Sequence, residues 1–309
     1  MKVHSFGVET VPVAMAKDLV VGSVHDGRNY RIMLARVVGE EIIETRFLAG
    51  EHDWESHSGA ELDSGYIIGG AVEGVATPDG GEGWKAYVAR LDESLNVLWE
   101  RKIDMGKNGA VYSVLPTEEG LFIAGETGRP GDKGFFLGKL SLEGELLWLR
   151  DFGRWNDAVF TALLPFENGF KLIGSVKTGR WEVKGFDFGS SGNLLGEEAL
   201  AEGIALTAGL WCEKLVLAGY QGENLWVRVG KRDITLGEGT ATSMFATKDC
   251  LLVGGELEGN GAVLKIGRDG KILWKKELWK NGAVEVLTET SRSGRWRRKI
   301  KSSWLGGDL

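Results

Sequence analysis

The chain has 309 residues, 43% of them hydrophobic and 26% charged, with a net charge of −7, the make-up of an ordinary globular protein able to bury a large core. The acidic balance gives no general attraction for nucleic acid or an anionic membrane, and no stretch approaches the roughly 18 apolar residues a spanning helix requires. Glycine is in excess, 47 residues against 5 prolines, without a collagen period, as a chain of short strands and tight turns needs.

Taken in order, MKVHSFGVET holds one lysine and then no apolar run of the kind a secretory signal carries, so a cytoplasmic setting is expected. An apolar run ending in glycine then recurs: DLVVGS at Gly22, GYIIGGA at Gly70, GLFIAGE at Gly125, GFKLIGS at Gly174, KLVLAGY at Gly219 and CLLVGGE at Gly255. The anchors lie 36 to 55 residues apart, the period of a propeller built from four-stranded blades. Residues 111–153 read as one such blade: AVYSVL, LFIAG, FFLGKLSL and LLWLRDF are strands, PTEEG is a turn, and ETGRPGDKG is a loop. The hairpin between third and fourth strands recurs at 90–101, 139–150, 187–198 and 265–277. Trp99, Trp148 and Trp274 occupy one place in it and are expected to be structural, each covering the neighbouring blade.

The two ends complement each other. KVHSFG (2–7) matches the fourth strand WLRDFG (148–153), and AVEVLTET (283–290) matches a first strand. The expected architecture is therefore all-β: a seven-bladed β-propeller over residues 1–288, with four-stranded antiparallel blades and the N-terminal strand closing the last. The seventh blade is irregular. Residues 289–309 lack the apolar run, the anchor glycine and the hairpin, and either complete that blade or form a tail. The tail carries Arg292, Arg295, Arg297, Arg298, Lys299 and Lys301 around Trp296. The acidic body argues against nucleic acid as the partner of this stretch.

The pattern N-D-A-V-x-x-x-L followed by G-F-x-x-x-G in residues 155–174, and D-G-x-x-x-W in 265–274, resembles the repeat of archaeal and bacterial propellers grouped with quinoprotein-like (PQQ-like repeat) domains. That class is typically eight-bladed and exported and keeps the docking tryptophan in most blades. Here seven blades are counted, no signal is read and the tryptophan stands in three. The cofactor-binding residues of the class match no position of this chain, and no cofactor is expected.

In a four-stranded blade the loops joining strands two to three and four to one emerge on one face, where propellers bind. The first set contributes His25, Asp26, Arg28, Arg129, Arg180 and Trp181; the second contributes His52, Asp53, Trp54, His57, Asn108, Arg154, Trp155, Asn156, Asp157 and Asn281. The off-hairpin rings Trp54, Trp155, Trp181 and Trp279 suit stacking on a ligand, or local core. Glu51, His52, Asp53, Glu55 and His57 form the densest titratable run, which reads as a solvated loop and not as a metal site. Asn108, Asn156 and Asn281 hold one equivalent position suited to a turn with positive φ. Twelve residues before the anchors stand Thr10, Ser58, Ser113, Ala162, Thr207 and Ser243, with Glu285 in the matching place, small where first strands crowd the axis.

No GxSxG, GxxxxGK[ST], HExxH or strand-to-helix GxGxxG is present. The expected function is a non-catalytic binding scaffold presenting this face to a protein partner or a polar ligand. The alternative is a hydrolase or lyase on a carbohydrate-like substrate, using Asp, Glu and His of the same face. Cys212 and Cys250 are expected to be free thiols. A single glutamine, Gln221, beside abundant Glu, Lys and Arg suggests a thermophilic source.

Overall fold

The computed structural model of the chain describes residues 10–38, 41–74, 83–166, 169–280, 283–285 and 287. Every regular element among them is a β-strand, so no helix is long and apolar enough to cross a membrane. The chain divides into two compact units, one of Val13–Glu202 and one that joins the N-terminal residues through Pro12 to the chain from Gly203 onward.

The first unit holds four sheets of four strands each, in sequence order. These are β1 (Thr10–Ala16), β2 (Leu19–His25), β3 (Tyr30–Val38) and β4 (Glu41–Leu48); then β5 (Trp54–Glu61), β6 (Tyr66–Glu73), β7 (Trp84–Leu91) and β8 (Val97–Ile103). The third sheet is β9 (Gly109–Thr117), β10 (Gly120–Arg129), β11 (Asp132–Leu140) and β12 (Leu146–Trp155). The fourth is β13 (Ala158–Phe166), β14 (Gly169–Lys177), β15 (Trp181–Gly189) and β16 (Leu194–Glu202). Second strands are apolar without alternation because both of their faces are covered. On β6, Ile68 packs in a cluster with Val21, Ile32 and Leu34 of the first sheet, while Ile67 packs with Val111, Ile123 and Phe136 of the third. Phenylalanines join the third and fourth sheets: Phe122 lies 4.1 Å from Phe170 and Phe135 lies 6.0 Å from Phe186. Edge-to-face and tilted rings of this kind bury large apolar areas.

The stretch ETGRPGDKG is not an open loop. β10 and β11 stay paired to the tip, with Thr127 opposite Gly134, Gly128 opposite Lys133 and Arg129 opposite Asp132. Gly128 and Gly131, at φ of 97° and 90°, allow the tight reversal. A charged glycine-rich run thus becomes a rigid hairpin.

First strands carry a bulge at one equivalent place. The register slips at His57 in β5, Tyr112 in β9 and Thr161 in β13. An extra residue there turns the local carbonyl toward the neighbouring second strand. A Cβ on Gly70 would sit 2.0 Å from the Glu55 carbonyl oxygen, and one on Gly125 1.9 Å from that of Ala110. At these anchors glycine is the partner that the bulge demands, whereas a Cβ on Gly174 would meet the Phe135 ring at 2.4 Å.

The second unit is one seven-stranded sheet in sequence order: β17 (Ile204–Trp211), β18 (Lys214–Gln221), β19 (Asn224–Val229), β20 (Arg232–Ala246), β21 (Cys250–Leu257), β22 (Asn260–Gly267) and β23 (Ile272–Lys280). β20 pairs with β19 over Arg232–Glu238 and with β21 over Gly239–Ala246, so two four-stranded groups share that strand. Bulges recur at Leu206 and Thr242. A Cβ on Gly219 or Gly255 would lie 2.0 Å from a first-strand carbonyl. Cys212 is exposed and Cys250 buried, both as free thiols.

The hairpin tryptophans act as expected in the first unit. Trp99 lies against Gly144 and donates its indole N–H to the Leu142 carbonyl at 3.0 Å, and Trp148 lies against Gly192. Trp274 is 41% exposed. Where the tryptophan is missing, arginine reaches the corresponding turn: Arg46 meets Asn96, and Arg232 donates to the Asp269 carbonyl at 2.6 Å and covers Gly270.

Candidate functional site

Strand-connecting segments of the two expected kinds do meet. The Gly128 N–H donates to the Asn108 carbonyl, Gly131 to Asn156 and Lys177 to Asp157, each at 2.9 Å. On the first sheet the Asn29 amide donates to the Glu51 carbonyl and the Tyr30 N–H to Asp53 Oδ1 at 2.7 Å. This tied surface carries a pocket of about 370 Å³ in the first unit, between the second and third sheets.

The bulges build its centre. His57 and Tyr112 are the bulged residues of two consecutive first strands, and their rings stack at 4.3 Å with planes 13° apart. Phe160 of the next first strand continues the column, 6.2 Å from Tyr112. Around this stack stand Glu55, Trp84, Asn108, Glu126 and Lys133. Asn108 is fixed from both ends, its amide oxygen accepting from the Trp84 N–H at 3.3 Å while its carbonyl holds Gly128.

Protonation follows from burial. The His57 imidazole is pushed down to about 4 by desolvation, and its Nε2 stands 3.7 Å from Glu55 Oε2, too far for a hydrogen bond. Burial raises Glu55, helped by the charge of Asp53. Burial also raises Glu126, aided by Asp157. It outweighs a 2.7 Å hydrogen bond from the Phe160 N–H and an ammonium contact from Lys133 at 3.5 Å. The Tyr112 phenol is pushed up by burial and by the charges of Glu126 and Glu55. The site thus presents an imidazole that is neutral at neutral pH and a phenol, beside two carboxyls that burial holds above their ordinary range and one lysine, Lys133.

Of the residues expected to form a site, the structure brings His57 and Asn108 into this pocket, and Asp157 to its edge through Lys133 at 3.5 Å. Trp54 is core, not a stacking surface: it is 7% exposed and packs on Tyr87 at 5.1 Å under the Lys102 ammonium. Trp155 is likewise drawn inward against Phe135 and Phe186. His25 packs edge-on to Tyr30, and Asp26 caps its own turn by accepting from the Asn29 N–H, the Arg28 N–H and Arg31 Nε. The Asn29 bond contributes most to lowering that carboxyl.

Arg154 pairs with Asp151, Arg180 with Glu202, and Trp181 lies beneath Lys177. Arg28, His52, Arg129 and Asn156 are exposed and line no pocket with His57. Asn281 lies outside the described residues, as does the side chain of Trp279. Positive φ in the fourth-to-first connections falls on Gly106 and Gly153, not on Asn108 or Asn156. The asparagines serve through their carbonyls instead. Ser58 and Ser243 are buried against Gly69 and Gly254.

Trp84, Tyr112, Glu126 and Lys133 were not among the expected residues. One signal was available for Tyr112: it stands thirteen residues before Gly125, as His57 stands thirteen before Gly70. A larger groove of about 910 Å³ opens at the other end of the strands around Glu61, Ser64, Arg90 and Glu118. Arg90 there donates from its two terminal nitrogens to the Leu142 carbonyl at 3.0 Å and to Ser64 at 3.5 Å.

No protein-family model matches the chain, and no curated protein matches it in sequence. Solved structures do resemble it. The WD40 domain of Toxoplasma gondii coronin superposes with a TM-score of 0.58 at 11% identity, over 93% of this chain and 75% of that one. The Dos1 propeller gives 0.52 at 13% identity, over 90% and 79%. The fold is that of a β-propeller. A puromycin hydrolase gives 0.62 at 13% identity, over 91% of this chain, which spans about half (48%) of that protein's length. Identities this low speak to the propeller fold alone.

Proposed function

We propose that the protein is a binding propeller whose recognition site is the pocket around His57 and Tyr112, taking a polar ligand or a polar group of a protein partner. The observation that carries this reading is the pair of bulged rings. Two first strands aim His57 and Tyr112 at one opening, and Trp84, Glu55, Glu126 and Lys133 surround it. An aromatic wall with a few placed polar groups is the usual make-up of a ligand site. The coronin and Dos1 likenesses are consistent with a scaffold role but carry no ligand identity.

The fuller architecture belongs to the same proposal: a seven-bladed ring in a cytoplasmic protein, with a repeat of the quinoprotein-like kind. Support for a seventh blade comes from Val284. It is fully buried, its N–H donates to the Gly255 carbonyl, and its carbonyl accepts from Ser243 Oγ at 3.0 Å. A Cβ on Gly254 would meet Val284 Cγ1 at 2.6 Å, just as one on Gly69 would meet Val111 Cγ1 at 2.6 Å. Val111 opens the first strand of the blade after Gly69, and Val284 stands in the same relation to Gly254.

Saturation-transfer NMR against a panel of small polyols, amines, carboxylates and dipeptides tests the site. Binding that disappears in Tyr112→Ala, with the fold retained, supports it; binding unchanged in that variant places recognition elsewhere. The hydrolase or lyase reading gains from the two proton-retentive carboxyls, a property that a general acid needs. Turnover of a panel compound abolished by Glu126→Gln would replace binding with catalysis.

A further inference from the structure

Charge in the pocket does not balance. Glu55 and Glu126 line it, Asp157 stands at its edge and Asp53 lies close behind Glu55. Against these four acids the lining supplies one cation, Lys133, whose ammonium is spread over Glu126 Oε2 at 3.5 Å, Asp157 Oδ1 at 3.5 Å and the Ala158 carbonyl at 3.4 Å. Each contact is long for a charge-assisted hydrogen bond. The nearby cations are engaged elsewhere, Lys85 with Asp104, and Lys107 and Arg154 with Asp151. His57 adds no positive charge at neutral pH. The aromatic members of the lining are His57, Tyr112, whose ring is stacked on His57, and Trp84. Thr127, 2% exposed and also at the lining, has a hydroxyl without a hydrogen-bond partner.

An aromatic side chain beside under-compensated carboxylates attracts one ligand chemistry above others. Ring quadrupoles draw a desolvated cation, and the carboxylates supply the counter-charge that Lys133 meets only in part. An anion would meet the acids, and a neutral polyol would leave the excess charge unanswered. We propose that the pocket takes an organic ammonium group, a primary or methylated amine, against Trp84 and the carboxylates of Glu55 and Glu126. This rests on the reading of the pocket as a binding site and names its ligand class.

Both carboxyls hold their protons above the usual range because burial is not offset. An ammonium ligand supplies the offset and favours the ionised form, so on the acid side, where they begin to take up protons, its uptake releases them. Affinity then rises with pH on the acid side and levels once both are ionised. The groups facing them set the slope: Asp53 and His57 from the β5 side, Lys133 from β11 and Asp157 ahead of β13.

Isothermal titration calorimetry with three five-carbon probes, cadaverine, 1,5-pentanediol and glutarate, together with trimethyllysine amide, tests this on the full chain. One of the two cationic probes is expected to bind at least tenfold tighter than the diol or glutarate. On the acid side, buffers of differing ionisation enthalpy should reveal proton release. Glu126→Gln should weaken the cation at least tenfold, and Lys133→Met, which removes the competing ammonium, should tighten it. The two substitutions act in opposite directions, so loss of fold in one does not imitate the result. Diol or glutarate binding as tightly as the amines, or Lys133→Met weakening the amine, would overturn the ammonium assignment while leaving the pocket as a site. Failure of every probe to bind would remove both that assignment and the binding reading on which it rests.

Discussion

Gly125 faces the Ala110 carbonyl so closely that a Cβ would lie 1.9 Å from its oxygen, a contact that backbone movement alone can relieve. Gly125→Ala is expected to destabilise by about 3 kcal/mol, the upper end of overpacking costs. Gly196→Ala, with open space around it, should stay within about 0.5 kcal/mol. Urea denaturation of the two variants measures the contrast, and equal costs would remove the bulge as the reason for the anchors. His57 gives a pH signature. Its folded value of about 4 lies below the ordinary 6.5, so between these the unfolded chain binds the extra proton. Its contribution is present above about pH 6.5 and is lost as pH falls toward 4, by up to about 3 kcal/mol at 1.36 kcal/mol per pH unit. Glu55 and Glu126, both raised, act in the opposite sense on the acid side. His57→Gln should therefore flatten the decline in melting temperature between pH 6.5 and 4, and an unaltered slope would assign that decline to other groups. The anchor glycines were readable in the sequence; their cause was not, because a bulge is a property of two paired strands. For the same reason Tyr112 looked like an ordinary strand residue.

Trp148 shows how one element is secured by the next. Its ring occupies the space over Gly192, where a Cβ would come within 2.2 Å, while Arg150 donates to the Gly192 carbonyl at 2.9 Å. The hairpin of β15 and β16 is thus capped by β12. Trp148→Ala should cost about 2 kcal/mol, less than the 3–5 of a fully buried ring, because the side chain is only partly buried. Trp274→Ala, at 41% exposure, should cost under about 1 kcal/mol. Equal losses in chemical denaturation would mean that the position, not the covering, matters. The tryptophan-bearing hairpins were legible from spacing alone. The arginine substitutes Arg46 and Arg232 were not, since a long polar side chain carries no periodic signature and its target lies one sheet away. The β10–β11 hairpin was misjudged for a related reason. Glycines and charges in ETGRPGDKG signal a loop, yet the cross-strand pairs Thr127–Gly134 and Arg129–Asp132 hold to the tip. That pairing places Glu126 and Lys133 at the pocket.

At the scale of the whole molecule, four sheets of four strands and a seven-stranded sheet sharing β20 agree with the repeat period, and the spacing of 36 residues between Gly219 and Gly255 now has a physical cause. One continuous strand serves two groups and removes a connection. What the repeat does not determine is how a propeller ends. An unpaired strand edge invites association, so the proposed closure makes a specific demand on residues 2–9. In a ring completed by the N-terminal strand, their amides exchange with deuterium as slowly as those of core strands such as β6, because opening them requires opening the last blade. Stopping the chain after residue 282 removes Val284 and the rest of the segment that the proposal assigns to the last blade. Protection of the 2–9 peptide should then fall by orders of magnitude, while that of β6 changes little. Fast exchange of residues 2–9 in the full chain would rule out this closure and leave a propeller of fewer than seven blades.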